Sequence, residues 1–323
     1  MSFLSALLNS LPGAAAQGLI WGLMAIGVYL TFRILDVADL TVDGSLATGG
    51  AVCVMLIRGG VNPWIAVLAA FIAGALAGLA TGFFHTKCGI PAILAGILTQ
   101  LALYSINLRI MGGKSNQTVS VDKYDLLASQ RYVRELGLNN PLPLMLLVLA
   151  VVIGILYWFF GTEKGCSIRA TGANPNMSRA QGINVDRNKV FGLMLSNGIV
   201  ALSSALYSQY QGFTDVNAGR GAIVIGLAAV IIGEVLFARL FHNFALKLLG
   251  VALGAVIYYI VIQIVLTLGL NSNDLKLLSA AVVAIFLAVP YWKGKYFRGA
   301  AKKAVAAPAP APVAAGKEDE PNA

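Results

Sequence analysis

Long stretches of this sequence run with almost no charge. Leu142 to Phe160 has none, and Phe244 to Leu268 carries only Lys247. Each is long enough to cross a hydrocarbon layer about 30 Å thick as a helix. A backbone in such a layer must satisfy its own N–H and C=O groups, which leaves helices and closed barrels. Barrel strands read as alternating segments of about ten residues, whereas these runs are continuously apolar. Composition agrees: 58% of residues are hydrophobic and 11% charged, against roughly 45–50% and about 25% in an ordinary soluble domain. The fold class predicted is all-α, a polytopic transmembrane helical bundle.

Apolar runs between polar breaks fall near 14–33, 44–58, 62–84, 90–111, 142–160, 189–211, 217–237, 244–269 and 275–291. The expected number of spans is therefore about 8–10. Met1 to Pro12 contains no basic residue, and the run from Ala14 to Phe32 lacks a clear cleavage site, so this first run is read as a retained span. From Ala300 onward the chain turns to Ala, Pro and Lys and ends in Lys317-Glu-Asp-Glu320. Such a segment buries too little apolar surface to order itself. The organisation expected is one transmembrane domain over 1–299 and a disordered Ala- and Pro-rich cytoplasmic tail over 300–323.

The formal charge of +9 does not gather on one amphipathic face, which argues against a nucleic-acid partner. Topology accounts for it better. With the 161–188 loop in the cytoplasm, Arg33, Lys87, Arg239, Lys247 and the cluster Lys293, Lys295, Arg298, Lys302, Lys303 also lie inside, about fifteen of the 23 basic residues when Lys317 is included. The N-terminus is then outside and the C-terminus cytoplasmic. The loop 112–140, with Lys114, Lys123, Arg131 and Arg134, runs against this trend on the outer side; a short helix is expected there over Asp125 to Glu135. Cys53, Cys88 and Cys166 share no metal-ligand spacing, so neither a metal site nor a disulfide framework is expected.

Asp36, Asp39 and Asp43 fall within eight residues at a span boundary. Carboxylates at membrane depth are costly and mark a pathway or a pairing role; a solvated loop is the plainer account of Asp36. Asp43-Gly44-Ser45 before Thr48-Gly49-Gly50 reads as a helix start, with Asp39 or Asp43 as N-cap and glycines for close packing. A broken helix whose N-terminus points into the bundle is a recurring transporter device, and both ligand contact and simple capping fit these residues. Candidates for a translocation path or gate are Asp39, Thr41, Asp43, Ser45, Gln100, Asn107, Asn197 and Glu234, with Gln209 and Gln263 as further polar residues inside apolar runs. Interhelical hydrogen bonding is the structural alternative for each. His85 and His242 map to inner boundaries and read as interfacial; catalytic residues are not expected.

The loop Gly165 to Asp186 carries a short-helix signature. Asn174 caps, Pro175 takes the first helical position and Gly182 closes about two turns later. Flanked by Arg169, Arg179 and Arg187, this helix suits either a docking element for a cytoplasmic partner or an ordinary amphipathic loop.

This loop and the following Val190 to Gly198 resemble the cytoplasmic region of ATP-binding-cassette (ABC) permeases of the branched-chain amino acid and ribose type. Gly172, Asn174, Pro175, Arg179, Ala180, Gly182 and Ile183 stand in the family's coupling-helix pattern. Asp39-Leu-Thr-Val-Asp-Gly-Ser45 is similar to a segment of sugar permeases. His85-Thr-Lys87, Leu94 to Thr99 and Tyr104 to Gly112 look more like the subgroup linked to tryptophan or tyrosine uptake. The resemblance covers about residues 17–290 and implies a vitamin-B12-importer-like (type II) permease architecture. It implies, too, a separate ABC ATPase subunit that uses ATP and Mg, an extracytoplasmic binding protein and a second permease copy, most simply a homodimer in a bacterial inner membrane. The function it implies is import of a small solute, an amino acid with aromatic ones favoured. The chain has no Gly-x-x-x-x-Gly-Lys-Ser/Thr phosphate loop, so it is read as a transport subunit without an enzyme activity or bound cofactor of its own. A stand-alone ion-coupled secondary carrier, using Asp39, Asp43 or Glu234, is the alternative. For a membrane-embedded enzyme the residues supply no paired nucleophile and base.

Overall fold

The computed structural model describes residues 3–133, 140–237, 241, 243–268 and 275–292. Eleven α-helices are found there: α1 Phe3–Tyr29, α2 Thr41–Arg58, α3 Pro63–Thr86, α4 Ala92–Ile110, α5 Pro141–Gly161, α6 Glu163–Ala173, α7 Pro175–Ala180, α8 Val185–Gln211, α9 Ala222–Phe237, α10 Phe244–Thr267 and α11 Leu275–Trp292. Each of the nine apolar runs falls on one of these helices. Six are long and apolar enough to cross a membrane, including α1 continued to Ile34. The expected tail, with Arg239, His242 and the cluster from Lys293 onward, lies outside the described residues.

Three spans or surface helices start by the same device. Asn62, Asn140 and Asn174 each precede a proline, and each amide oxygen accepts a backbone N–H of the first turn, from Trp64 and Leu142 at 2.9 Å and from Met177 at 3.0 Å. Proline at the first helical position has the right φ and gives up an N–H that has no intrahelical acceptor. At the other end of α1 a π-turn over Leu30–Ile34 releases the chain into an irregular segment.

Helix α8 is the hub. It packs along α3, α2 and α1, while α1 also packs on α10 and α9. Small residues let these backbones approach: at Gly74, Gly78 and Gly82 of α3 an added Cβ would meet backbone of Asn197, Leu193 and Val190 on α8. Lipid tails are as apolar as side chains, so close packing of this kind drives helix association in a membrane. The outward faces are what lipid requires, with Leu68, Ile72, Leu101, Ile155 and Trp158 all exposed.

Between α4 and α5 the expected helix over 125–135 does not form within the described part. Instead Asn116–Thr118 (β1) pairs antiparallel with Phe213–Asp215 (β2), and Gln130–Tyr132 makes a single 3-10 turn. The ribbon satisfies backbone that a solvated loop would leave to water, and Gln209 Oε1 accepts the Leu127 amide at 3.0 Å. Residues 134–139, with Arg134 and Glu135, lie outside the described residues.

Candidate functional site

After the π-turn the chain doubles back into the bundle. Leu35 packs on Gly192, and Asp39 reaches Asn197, twelve residues past the start of the 27-residue α8 at Val185. Helix α2 therefore begins at the middle of the bundle. Its N-terminus is held by a buried network. Asn197 Nδ2 donates to Asp39 Oδ2 at 2.6 Å, Ser45 Oγ donates to Asn197 Oδ1 at 2.6 Å, and Asp39 Oδ1 accepts the Thr41 amide at 2.9 Å. Beside it the hydroxyls of Thr41 and Thr81 lie 2.6 Å apart, and Thr81 donates to Thr99 at 2.9 Å, which links α2, α3 and α4.

Asp43 does not cap its own helix. Its carboxylate accepts the backbone N–H of Gly221 and Ile223, both at 3.0 Å, at the start of α9. Gly219 is pressed against the Asp43 backbone so closely that any Cβ would collide with its carbonyl. So α9, like α2, starts inside the bundle, and one carboxylate sits where two helix N-termini converge. Both macrodipoles favour a negative charge there.

The remaining path candidates are separate. Gln100 is half-buried, its backbone close to Gly44, while Asn107 is fully buried and neither of its side-chain polar atoms has a hydrogen-bond partner among the described residues. Glu234 lies far along α9 and forms a two-bond ion pair with Arg33, Nε to Oε1 at 2.7 Å and Nη2 to Oε2 at 2.5 Å. This pair lines a cavity of about 390 Å³ together with Tyr29, Phe237, Phe241 and Lys247. Asp36 is exposed with φ of +54°.

At the same end of the molecule α6 and α7 form a surface hairpin. Gly172 packs directly on the backbone of Ile34, with no room for a side chain. Asn174 starts α7, and Gly182, at φ +79°, ends it: its N–H donates to Arg179 O and the Ile183 N–H to Ser178 O, both at 3.0 Å. These two bonds make a Schellman closure, which needs a left-handed residue that only glycine adopts freely. Ser178 anchors the helix inward; Pro175, Met177, Arg179, Ala180 and Gly182 are exposed. Arg179 lies 3.9 Å from Asp186, a loose surface pair.

The Arg33–Glu234 pair, the Asp43 cap on α9 and the Thr81 and Thr99 hydroxyls were not foreseen from sequence. Arg33 and Glu234 are 201 positions apart, and no local pattern joins them. Asn217 to Gly221, rich in turn residues ahead of an apolar run, carried a usable signal of a helix start inside the span predicted over 217–237.

Six helices of membrane-crossing length, two shorter helices that start inside the bundle, and a capped helix exposed on a loop between spans are the architecture of a polytopic membrane protein. The chain belongs to the family described as "Branched-chain amino acid transport system / permease component", which matches residues 10–289. It is thus an ABC transporter permease and a multi-pass protein of the inner membrane. It is 38% identical over 281 residues to the tyrosine transport system permease protein of Clostridioides difficile, covering 87% of this chain and 91% of that one. To the ribose import permease protein of Escherichia coli strain K12 it is 26% identical over 282 residues, covering 87% and 85%. Among solved structures, PsaBC from Streptococcus pneumoniae in complex with Fab covers 91% of this chain and 96% of that chain, with a TM-score of 0.49 and 15% identity.

Proposed function

We propose that this permease imports an amino acid, with aromatic ones preferred, delivered by an extracytoplasmic binding protein and driven by separate ATPase subunits that use ATP and Mg. The observation that carries the substrate class is the 38% identity, over most of both chains, to a permease named for tyrosine transport. Identity to the ribose permease is lower over the same length.

In this reading the N-terminus is outside, the C-terminus and the α6–α7 hairpin are cytoplasmic, and two copies of the chain form the membrane unit. The capped, exposed α7 supports the hairpin as the ATPase contact. Its residues Gly172, Asn174, Pro175, Arg179, Ala180, Gly182 and Ile183 act as the coupling element. Gly172 ties α6 to Ile34, so a push on α7 moves the end of α1 and its Arg33–Glu234 pair directly. Closure of the ATPases would open or shut that ion pair as the inner gate. Asp39, Thr41, Ser45 and Asn197 hold the broken start of α2, and Asp43 that of α9.

The test is uptake of tritiated L-tyrosine, L-leucine and ribose by proteoliposomes holding the permease with its ATPase and binding protein. ATP-dependent uptake favouring L-tyrosine is expected; uptake of ribose alone would contradict the substrate class, and uptake without ATPase or nucleotide would favour the ion-coupled carrier.

A further inference from the structure

Three spans meet at the end of the bundle that carries the α6–α7 hairpin: α1, continued to Ile34, and α5 finish there, and α10 starts there. A groove runs between them. One part of it, about 590 Å³, is lined by Tyr157, Trp158 and Thr162 at the end of α5, with Arg169 of α6 and Phe244 of α10. The next part, about 360 Å³, shares Arg169 and Phe244 and adds Arg33, Asp36 and Lys247. Both volumes lie within the roughly 300–1,000 Å³ usual for small-molecule sites.

The cations of this groove are not matched by carboxylates. Arg33 is held by Glu234, whereas the side chains of Arg169 and Lys247 make no ion pair among the described residues. The Arg169 guanidinium lies over the Phe244 ring at 5.7 Å, a contact that uses none of its N–H donors. Asp36 is the one carboxylate that lines either part among the described residues.

The surroundings are those of a lipid headgroup. Trp158 and Tyr157, in the last turn of α5, are 72% and 49% exposed, as in the aromatic belts found at membrane boundaries. Arg33 stands in the last turn of the α1 span and Lys247 in the first turn of α10. On α5, Leu147, Val151 and Ile155 are exposed at four-residue spacing on the face that leads to Trp158. An acyl chain can follow that face from the groove; a free phosphate would make no use of it.

We infer that the groove binds the headgroup of an anionic phospholipid. Its phosphate meets Arg169 and Lys247, with Arg33 adding positive charge from the α1 side, while Tyr157 and Trp158 flank the start of the acyl chains. An arginine fork suits phosphate oxygens, and basic pockets between spans take acidic headgroups. The bound phosphate ties α6 to α10. Gly172, one turn along α6 from Arg169, packs on Ile34, so the lipid fixes the hairpin against the spans. Nothing in this site depends on the substrate or on its route.

The test is native mass spectrometry of the tagged chain, with the subunits that co-purify, in mild detergent with added dioleoylphosphatidylglycerol or dioleoylphosphatidylcholine. Wild type should retain the phosphatidylglycerol about tenfold better. Arg169→Gln and Lys247→Gln change exposed side chains and should each weaken it about fivefold, while Lys87→Gln, at an exposed cation past the end of α3, should leave it unchanged. Asp36→Asn removes the opposing charge and suits the φ of +54°, so it should bind more tightly. Equal retention of the two lipids by wild type, or an equal loss in Lys87→Gln, would overturn the site. Full displacement of the lipid by millimolar inorganic phosphate would do the same and leave a site for a soluble anion. Loss of the ATPase subunit from Arg169→Gln with lipid retention unchanged would assign the groove to that subunit instead.

Discussion

Asp43 in the first turn of α2 accepts the Ile223 amide at 3.0 Å, and Ile223 lies in the first turn of α9. Two helices that begin inside the bundle are thereby joined through one carboxylate. A helix N-terminus buried without a partner would leave its N–H groups unpaired, at several kcal/mol each in a hydrocarbon setting. The Asp43 oxygens supply the acceptors for α9, while Asp39 does so for α2.

Removing that cap should loosen α9. Asp43→Ala is expected to cost about 1–3 kcal/mol, read as a lower thermal midpoint of the purified protein. Asp43→Asn keeps one acceptor oxygen and should lose less. Equal midpoints for wild type and Asp43→Ala would show that the α9 start does not depend on this carboxylate.

Asn197 is the centre of the other network, bonded to both Asp39 and Ser45. Asn197→Leu keeps the branched shape but strips the buried carboxylate and hydroxyl of their partner, at a cost of about 3 kcal/mol. The protein should accumulate poorly in membranes, and a further Ser45→Ala change should cost little more. Additive losses in the double variant would argue that the two contacts are independent.

At Gly49 an added Cβ runs into the Ala201 backbone of α8, and no rotamer relieves a backbone collision. Gly49→Val should therefore push α2 off α8 and abolish folded protein, whereas Gly154→Val on α5, where nothing lies near, should be silent. Size-exclusion profiles of the two variants in detergent distinguish these outcomes.

The Arg33–Glu234 pair is partly exposed, so it should contribute about 1 kcal/mol or less to stability. Its larger effect is expected on coupling. Glu234→Gln and Arg33→Gln should each raise ATP hydrolysis in the absence of binding protein, and the swapped pair Arg33→Glu with Glu234→Arg should restore regulation. Unaltered basal hydrolysis in both single variants would remove this pair from the gate.

Much of the architecture could be read from the sequence because lipid imposes it: uninterrupted apolar runs mark the helices, and the Asn-Pro signature read at Asn174 for α7 also stands, unread, ahead of α3 and α5. The α7 hairpin was legible to the residue, since Asn174, Pro175 and Gly182 act through local backbone rules. Asp43 was not, because its partners are 178 and 180 positions away. The 112–140 loop failed for a similar reason: β1 is three residues long and has meaning only beside β2. Polar residues inside spans announced that partners must exist, while naming none of them.

The central claim is that α7 transmits ATPase motion to the membrane unit. Met177 and Arg179 are both exposed on that helix, away from its Asn174 and Gly182 closures. The most direct measurement is purification of the tagged chain in mild detergent, with and without the double change Met177→Glu and Arg179→Glu, followed by mass analysis of co-purifying proteins. Wild type should bring down a nucleotide-binding subunit in stoichiometric amount, and the double variant should lose it while eluting as a folded permease. An ATPase retained undiminished by the double variant would contradict the account.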